Sequence, residues 1–243
     1  MAVQEGIGQT ALPDQQKLRP LSGFHGSLAQ RVYGSLREAI QSLSLRPGEV
    51  LRKPEICATL GVSRSPVSEA IARLAAEHLV KIVPQAGSYV ARLSLAEIRE
   101  GAFLREALEL AAVERVAQLV QEDQLVLLRR NLRLQVGLVE DGDHSGFYLA
   151  DTAMHELILS FTGFTRLATL ADTARVQVNR ARQLTLPEPG RNLATLAEHQ
   201  AIVAAIAARD PVAARAAMRH HLSRLIGLLE PLARNRPDLF EPE

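Results

Sequence analysis

The sequence predicts a mainly α fold in two parts: a winged helix-turn-helix domain with a small β-hairpin wing, followed by an all-α antiparallel helical bundle. Three observations lead to this prediction. Apolar residues recur at helical spacing through most of the chain after Ser27. Residues 80–90 change to the two-residue period of a hairpin. Gly and Pro breaks then divide residues 95–232 into helical segments without strand-like alternation.

The composition narrows the class of protein. The chain has 243 residues, of which 47% are hydrophobic, as in ordinary globular proteins. The single Cys57 excludes a disulfide framework and a Cys-rich metal site. No apolar run approaches the roughly 18 residues of a membrane span. We therefore expect a soluble, cytoplasmic protein that has no membrane partner.

The charge is unevenly distributed along the chain. Residues 1–92 hold 11 Lys or Arg against 7 Asp or Glu, whereas residues 93–243 hold 17 against 20. A mildly basic first part suits a surface that faces phosphates, although this excess of positive charge is weak evidence by itself.

Changes in pattern divide the chain into four parts. Residues 1–26 mix Gly, Pro, Gln and Ser without an apolar period, which predicts a mobile N-terminal tail. We assign residues 27–92 to the winged helix-turn-helix domain and residues 93–234 to the helical domain. Residues 235–243 are left as a C-terminal tail.

The first domain begins with two predicted helices. The first starts at Ser27, runs for about 15 residues along an apolar stripe, and ends at Arg46-Pro47-Gly48. The second runs from about Pro54 to Leu60, since proline is tolerated in a first turn. Gly61 is placed to close it through a left-handed backbone.

A third helix and a hairpin complete this domain. Ser65 and Pro66 are predicted as its N-cap and first helical residue. Its inward face repeats at i, i+3, i+4 and i+7 from Val67. Beyond this helix, the sequence predicts a wing of two strands, Ile82-Val83 and Ser88-Tyr89-Val90. The tip between them is Pro84-Gln85-Ala86-Gly87.

The helical domain contains six predicted helices separated by turn residues. The breaks lie at Gly142, Gly163, Pro187-Glu188-Pro189-Gly190 and Asp210-Pro211. The segments are roughly 95–119, 123–140, 144–161, 164–184, 191–209 and 211–232.

The start of the third helix has the chemistry of a DNA-recognition helix. In a helix-turn-helix, the N-terminal residues of the second helix of the unit meet base edges in the major groove. Here these residues are Ser63, Arg64, Ser65 and Ser68. The planar fork of Arg64 can pair with guanine, and the serines are short donors for phosphate. The alternative is a capped core helix with one solvated arginine, but the ordered set of elements favours DNA binding.

The stretch GVSRSPVSEAIARLAAEHLVKIVPQAGSYV, residues 61–90, closely resembles the DNA-binding domain of the GntR family of bacterial repressors. The resemblance implies operator binding as a homodimer, with Arg64 and its neighbours on the bases and the wing, which holds Gly87, near the minor groove. Ser68, Pro54 and Ala86 each stand where the family often has a basic residue. Other cations would have to compensate for them, and the candidates are Arg52, Lys53 and Arg73.

The helical domain offers a candidate metal site. Asp151 and His155 are four residues apart and therefore share a helical face, while His199 and His221 lie on later helices. Three imidazoles and a carboxylate can bind a divalent cation such as zinc. By spacing alone, surface histidines or hydrogen-bonded core histidines are the more common explanation.

Residues 95–230 resemble the all-helical FCD effector domain of the FadR subfamily. Three parts of the sequence carry this resemblance: the segment from Leu104-Arg105 to Glu109, the Asp151…His155 pair, and the stretch EHQAIVAAIAARDPVAARAAMRHHL over residues 198–222. The resemblance implies that Asp151, His155, His199 and His221 coordinate one metal, with zinc first and nickel or manganese as alternatives. His220 would point about 100° away and is left as an ordinary histidine. Six helices favour the VanR-like branch.

The same resemblance suggests an effector site. A metal facing an arginine traps a carboxylate, and by family position that arginine is Arg105. Arg175 and Asn179 are expected to line the same cavity. Without the resemblance, Arg105 reads as a surface arginine paired with Glu109 at i+4.

These observations predict a ligand-responsive, DNA-binding transcription regulator, a repressor that binds a divalent metal and a small carboxylate. It is not expected to be an enzyme, and no catalytic residue is assigned. One alternative is a metal-dependent hydrolase. Another keeps the regulator but makes the metal structural, or makes it the signal itself.

Overall fold

The computed structural model describes residues 17–185 and 190–242. The chain divides into two compact units, one up to Val90 and the other from Ala91 onwards. The mainly α fold with a two-stranded wing is confirmed. None of the helices in the described part of the chain is long and apolar enough to cross a membrane.

The described part of the first unit contains three α-helices and one hairpin. In chain order they are α1 (Leu28–Gln41), α2 (Lys53–Leu60), α3 (Arg64–Ala76), β1 (Val80–Val83) and β2 (Gly87–Val90). The core forms mainly between α1 and α3, where the predicted apolar stripes meet. Its fully buried members include Val32, Leu36, Ile40, Val67, Ile71 and Leu74.

Two local signals position the helix-turn-helix. Ser27 caps α1 in a reciprocal pair of hydrogen bonds with Gln30. Gly61 closes α2 at φ 66° and ψ 38°, the left-handed conformation that glycine adopts without steric cost.

The start of α3 differs from the prediction by two residues. Ser63, not Ser65, occupies the N-cap position, and Arg64 is the first helical residue. Pro66 still lies within the first turn, where a helix has no internal acceptor for a backbone N–H. Proline is therefore tolerated at several positions of that turn, and its presence does not specify the first residue.

The wing is a regular antiparallel hairpin. Its register runs from Val80 opposite Val90 to Val83 opposite Gly87. A bridge between Val50 and Tyr89 joins a third short segment to it.

Part of the predicted N-terminal tail packs on the first unit. Leu18 is buried, and the hydroxyl of Ser35 donates to the carbonyl oxygen of Arg19 at 2.7 Å. Residues 17–26 are thus held by one apolar side chain and by hydrogen bonds that the composition did not reveal. The rest of the predicted tail, residues 1–16, lies outside the described residues.

The second unit is the helical bundle. Its helices are α4 (Leu95–Leu119), α5 (Glu122–Glu140), α6 (His144–Phe161), α7 (Leu167–Thr185), α8 (Arg191–Ala207) and α9 (Pro211–Asn235). Each agrees with its predicted segment to within three residues at either end. The predicted break at Pro187-Glu188-Pro189 lies outside the described residues.

Helix α4 packs against α6, α7, α8 and α9, so the core of the bundle forms around it. The C-terminal segment after α9 also belongs to this unit, because Leu239 and Phe240 are buried. Phe240 pairs with Leu93 in a parallel bridge. Within the segment predicted as a tail, Leu239 and Phe240 are therefore held next to the start of the bundle.

Candidate metal centre and nucleic-acid interface

The four predicted metal ligands meet inside the bundle. Asp151 and His155 project from α6, His199 from α8 and His221 from α9. Each contributes one ligand atom to a cluster in which these atoms lie within 4.8 Å of one another. All four side chains are buried. Three helices thus bring together residues that lie up to 70 positions apart in the sequence.

The atoms at the centre are nitrogen Nε2 and carboxylate oxygen. His155 Nε2 lies 3.2 Å from His221 Nε2 and 3.9 Å from Asp151 Oδ2. His199 Nε2 lies 3.4 Å from Asp151 Oδ1. Oxygen and imidazole nitrogen suit zinc, nickel and manganese alike.

A side-chain oxygen lies close to the Nδ1 atom of each imidazole, and for His199 and His221 it accepts a hydrogen bond from that atom. Glu109 Oε2 lies 2.6 Å from His155 Nδ1, and Glu198 Oε2 lies 2.7 Å from His221 Nδ1. Gln135 Oε1 lies 2.7 Å from His199 Nδ1. For His199 and His221, the oxygen acceptor at Nδ1 requires the proton there, which leaves the Nε2 lone pair directed at the centre.

The central atoms have a shortage of protein partners. His199 Nε2 and Asp151 Oδ1 are both buried, and neither makes a hydrogen bond within the described residues. His155 and His221 direct Nε2 atoms at each other, and two lone pairs at this distance repel unless a proton or a cation lies between them. A divalent metal would satisfy all four donors, so the residues present fit one.

Burial and charge set the protonation of these groups. Burial lowers the pKa of His221 well below its usual range and the pKa of His199 to about 3, because a buried imidazolium loses its hydration. Burial also lowers the pKa of His155. For Asp151, burial raises the pKa, but the Arg182 guanidinium outweighs that effect and holds it below the ordinary value. Neutral imidazoles and an ionised carboxylate are the forms that bind metals.

Arg105 is buried, so the reading of it as a surface arginine is wrong, although its partner at i+4 is indeed Glu109. Its Nε donates to Glu109 Oε1 at 2.9 Å, and its Nη2 lies 3.1 Å from His155 Nε2. The guanidinium is therefore next to the candidate metal position.

Arg175 and Asn179 are buried nearby but are not among the described residues that line the cavity beside the cluster. Arg175 is directed instead at Glu109 Oε1, which its Nη2 approaches to 2.5 Å. Asn179 leaves its Oδ1 without a hydrogen bond. A carboxylate shared by two arginines explains the position of Arg175, and nothing in the structure explains that of Asn179.

Several site residues were missed by the sequence analysis. Arg182 forms a close ion pair with Asp151, and Gln135 and Glu198 hold two of the histidines. Arg182 lies seven residues after Arg175, two helical turns along one face, and this spacing was the signal that could have found it. Gln135 gave no such signal.

The predicted DNA-contacting residues lie in the first unit. Ser63, Arg64 and Ser65 are exposed at the start of α3, and Ser68 is half-buried one turn later. The Ser63 side chain makes no capping hydrogen bond, so its oxygen does not accept from the first turn of α3. Capping alone therefore does not account for this serine.

The basic residues expected to compensate for the missing family cations have different surroundings. Arg52 is exposed and pairs with Glu55 at 3.3 Å, and Lys53 is half-buried at the first position of α2. Gly87 is exposed in the wing at φ 127°.

Arg73 is not part of the surface formed by Ser63, Arg64 and Ser65. Its guanidinium lies 3.8 Å from the centre of the Tyr33 ring and 3.4 Å from Glu77. Nine residues separate it from Arg64, which turns the helix by about 180°. Packing against α1 thus directs Arg73 away from the start of the helix.

Comparison with protein families gives two matches that together cover most of the chain. Residues 28–90 match the model described as bacterial regulatory proteins, gntR family. Residues 100–224 match the FCD domain.

Individual proteins agree with these matches. An uncharacterized HTH-type transcriptional regulator in an unstable DNA locus of Streptomyces ambofaciens is 34% identical, over 86% of this chain and 88% of its own length. The HTH-type transcriptional repressor RspR of Escherichia coli K12 is 30% identical, over 88% and 94%. The solved structure of E. coli McbR/YncC has the same fold, with a TM-score of 0.75 at 21% identity, over 86% of this chain and 99% of that one.

Proposed function

The chain belongs to the gntR family of bacterial transcription regulators and carries an FCD domain, and on that premise we propose that it is a metal-containing, carboxylate-responsive repressor. It acts as a homodimer on double-stranded operator DNA. A divalent metal, zinc before nickel or manganese, is held by Asp151, His155, His199 and His221. The six α-helices among the described residues of the bundle favour the VanR-like branch of the FadR subfamily.

The observation that supports this proposal most directly is the convergence of three Nε2 atoms on one carboxylate. Each ring is oriented by its own acceptor, Glu109, Gln135 or Glu198, so the donors are prepared before a metal binds. Two of the central atoms, His199 Nε2 and Asp151 Oδ1, are buried without a hydrogen-bond partner within the described residues, and a bound metal would satisfy both.

A bound metal would supply a Lewis-acid anchor for an anion. Arg105 lies beside His155, where its guanidinium can pair with the same carboxylate in a charge-assisted contact. Arg105 therefore binds and orients the effector, and Glu109 keeps that guanidinium in place.

The exposed start of α3 is the proposed reading surface. Arg64 contacts base edges, and Ser63, Ser65 and Ser68 contact phosphates or sugars. Arg52, Lys53 and the wing at Gly87 add contacts to the DNA backbone. The name of the RspR relative supports repression as the direction of control.

Regulation follows from differential binding. The carboxylate changes operator affinity only if it binds one arrangement of the dimer more tightly than the other. A purely structural metal is the second candidate, since four protein ligands fill a tetrahedral zinc site. An Arg105→Met variant separates the two: we expect it to keep the metal and lose the effector response.

A hydrolase is disfavoured by the surroundings of the cluster. Glu109 and Glu198 are the carboxylates in contact with the histidines beyond Asp151, and arginines as well as histidines engage both. Neither is free to act as a general base on a metal-bound water.

The decisive test is elemental analysis of protein purified without chelator. We expect about one divalent metal per chain, lost in the His199→Ala/His221→Ala variant. His220→Ala is the matched control, because His220 is exposed and adjacent to His221 on α9. Metal-free protein from metal-replete cells would overturn the four-ligand site, while the assignment to a family of DNA-binding regulators would stand.

A further inference from the structure

The first residues of the second unit, 91–93, are held by the C-terminal segment. The backbone N–H of Leu93 donates to the carbonyl oxygen of Leu239, and the Leu93 carbonyl oxygen accepts from the N–H of Glu241, both at 2.9 Å. Leu93, Leu239 and Phe240 belong to one buried apolar cluster. Backbone and side chains thus both fix residues 239–241 to the start of the unit.

Arg180 of α7 holds the same short segment at its first residue. Its side chain is fully buried, its Nη2 donates to the carbonyl oxygen of Ala91, and its Nη1 donates to Gln177 Oε1 at 3.0 Å. The carboxylates of Glu97 and Glu241 attract this cation, but burial outweighs them and lowers the pKa of Arg180 to about 10. The guanidinium therefore carries its charge at neutral pH.

Packing alone does not explain a buried guanidinium at this position. Burial of a cation is costly, and an apolar side chain of similar volume often stabilises a core at least as well. The Nε of Arg180 is also buried without a hydrogen-bond partner within the described residues, so the group is not fully satisfied. The contact with Ala91 is thus one that stability by itself would not select.

Helix α7 carries this arginine and two arginines of the metal centre on different faces. Arg175 pairs with a glutamate of α4, and Arg182 pairs with Asp151, a candidate metal ligand. Seven residues separate Arg175 from Arg182, so these two share one face, whereas Arg180 is turned from them by about 140° to 160°. One helix therefore contacts the metal centre with one side and residues 91–93 with the other.

Metal binding would change the surroundings of Arg182. The Asp151 carboxylate neutralises this guanidinium. A divalent cation on the same carboxylate would repel the guanidinium and compete for their shared partner. The favoured position of α7 would then differ between the metal-bound and the metal-free protein, and such a difference in contacts is what shifts an equilibrium between two arrangements.

We propose that residues 91–93, Arg180 and residues 239–241 form a linker clamp that transmits the state of the metal centre to the DNA-binding unit. This inference rests on the proposed function, because it takes the metal centre as the origin of the signal. The clamped residues directly follow the unit that contains α3. When closed, the clamp fixes the backbone that leads to that unit, and when open it leaves that backbone free. Arg180 is a positioning residue, since it acts through the carbonyl oxygen of Ala91.

Operator titration with and without zinc tests the coupling. The full-length protein is titrated, by fluorescence anisotropy, against an operator selected from random duplexes, once zinc-loaded and once after treatment with chelator. For the wild type we expect zinc to change the affinity by about fivefold or more, the lower end of common allosteric couplings. For Arg180→Met we expect a change of less than about twofold, with about one zinc per chain still bound.

Two further variants locate the effect. Arg166→Met is the matched control, because Arg166 is exposed directly before α7, and it should keep the zinc response of the wild type. Phe240→Ala weakens the other half of the clamp and should reduce the response without loss of zinc.

Hydrogen exchange of the wild type gives a measurement that does not depend on a variant that folds. The amides of Leu93 and Glu241 are hydrogen-bonded in the clamp. We expect zinc to change their exchange rates by about fivefold or more, while the amides within α1 serve as the internal reference.

The possible results separate the clamp from the metal centre. A zinc response that survives in Arg180→Met or is lost equally in Arg166→Met, or clamp amides that exchange equally with and without zinc, overturns the clamp and leaves the metal centre intact. Wild-type protein that binds zinc without any change in operator affinity does the same. Protein that binds the operator but no zinc overturns the metal centre and, with it, the origin of the signal.

Discussion

At the scale of single residues, the candidate metal centre depends on side chains that would not touch the metal. Gln135 shows this most clearly, because its amide oxygen lies 2.7 Å from His199 Nδ1 while its amide nitrogen donates to Asn131 Oδ1. Asn131 in turn donates to the carbonyl oxygen of Ala150. These linked hydrogen bonds determine that the amide oxygen of Gln135, and not its nitrogen, meets the imidazole. Asn131 and Ala150 thus help to orient His199 without touching it.

We therefore expect Gln135→Met to weaken zinc binding by about 10- to 100-fold, the usual effect of losing a partner that orients a ligand. Competition with a chromophoric chelator measures the affinity. Gln200→Met is the control, since Gln200 is exposed next to His199. Unchanged zinc affinity in Gln135→Met would show that packing alone orients the ring.

The start of α3 gives a second prediction at this scale. Arg64→Ala should weaken binding to an operator selected from random duplexes by about 1–3 kcal/mol and relax the preference at one base position. Arg73→Ala should leave DNA affinity nearly unchanged, because Arg73 is held by Tyr33 and Glu77. A fluorescence-anisotropy titration compares them. Equal losses in both variants would place the DNA on a different face of the helix.

At the scale of elements, the close packing of α4 against α7 depends on one glycine. A Cβ built on Gly101 would lie 2.5 Å from the backbone carbonyl oxygen of Ala174, and a backbone atom cannot give way as a flexible side chain can. Arg175 follows Ala174 directly, so this contact also determines how closely α7 brings its arginine to Glu109 on α4. The glycine thus contributes to the geometry of the site through the distance between two helices.

Gly101→Ala should accordingly destabilise the bundle by about 1–3 kcal/mol, as overpacking does elsewhere. Gly137→Ala is its counterpart, since Gly137 lies within α5 with open space around it. Alanine there should stabilise by about 0.5–1 kcal/mol through helix propensity. Urea denaturation followed by circular dichroism measures both. Stabilisation by both substitutions would mean that α4 and α7 separate at little cost.

At the scale of the whole molecule, the division into two units predicts how metal affects unfolding. The candidate ligands all belong to the unit that begins at Ala91. A metal bound only to the folded bundle stabilises it by mass action, by about 2.7 kcal/mol when free metal exceeds the dissociation constant a hundredfold. The first unit has no share in that binding.

Calorimetry with zinc and then with chelator should therefore show two transitions, only one of which falls in temperature when the metal is removed. The His199→Ala/His221→Ala variant should lack that shift. A metal-dependent shift of both transitions together would show that the two units unfold as one.

The site could be predicted from the sequence only in part, and the difference lies in the range of the interactions. The four candidate ligands were identifiable because Asp151 and His155 are one turn apart and because all four positions match the pattern of the FCD domain. Glu109 was visible as the i+4 partner of Arg105. Gln135, Arg182 and the role of Glu198 were not, because each acts on a residue from another helix, and no local spacing records that pairing.

The order and approximate extent of the helices and strands and the turn at Gly61 were determined by the sequence alone, because periodicity, capping and glycine conformation are properties of neighbouring residues. The tertiary structure decided which faces meet. It buried Arg105 beside His155, drew Arg175 to Glu109 and packed Arg73 against Tyr33, away from Arg64. The physical reason is that the partner of a charged side chain is set by the packing of helices distant in sequence, and for a buried charge such as Arg105 or Arg175 that partner is essential.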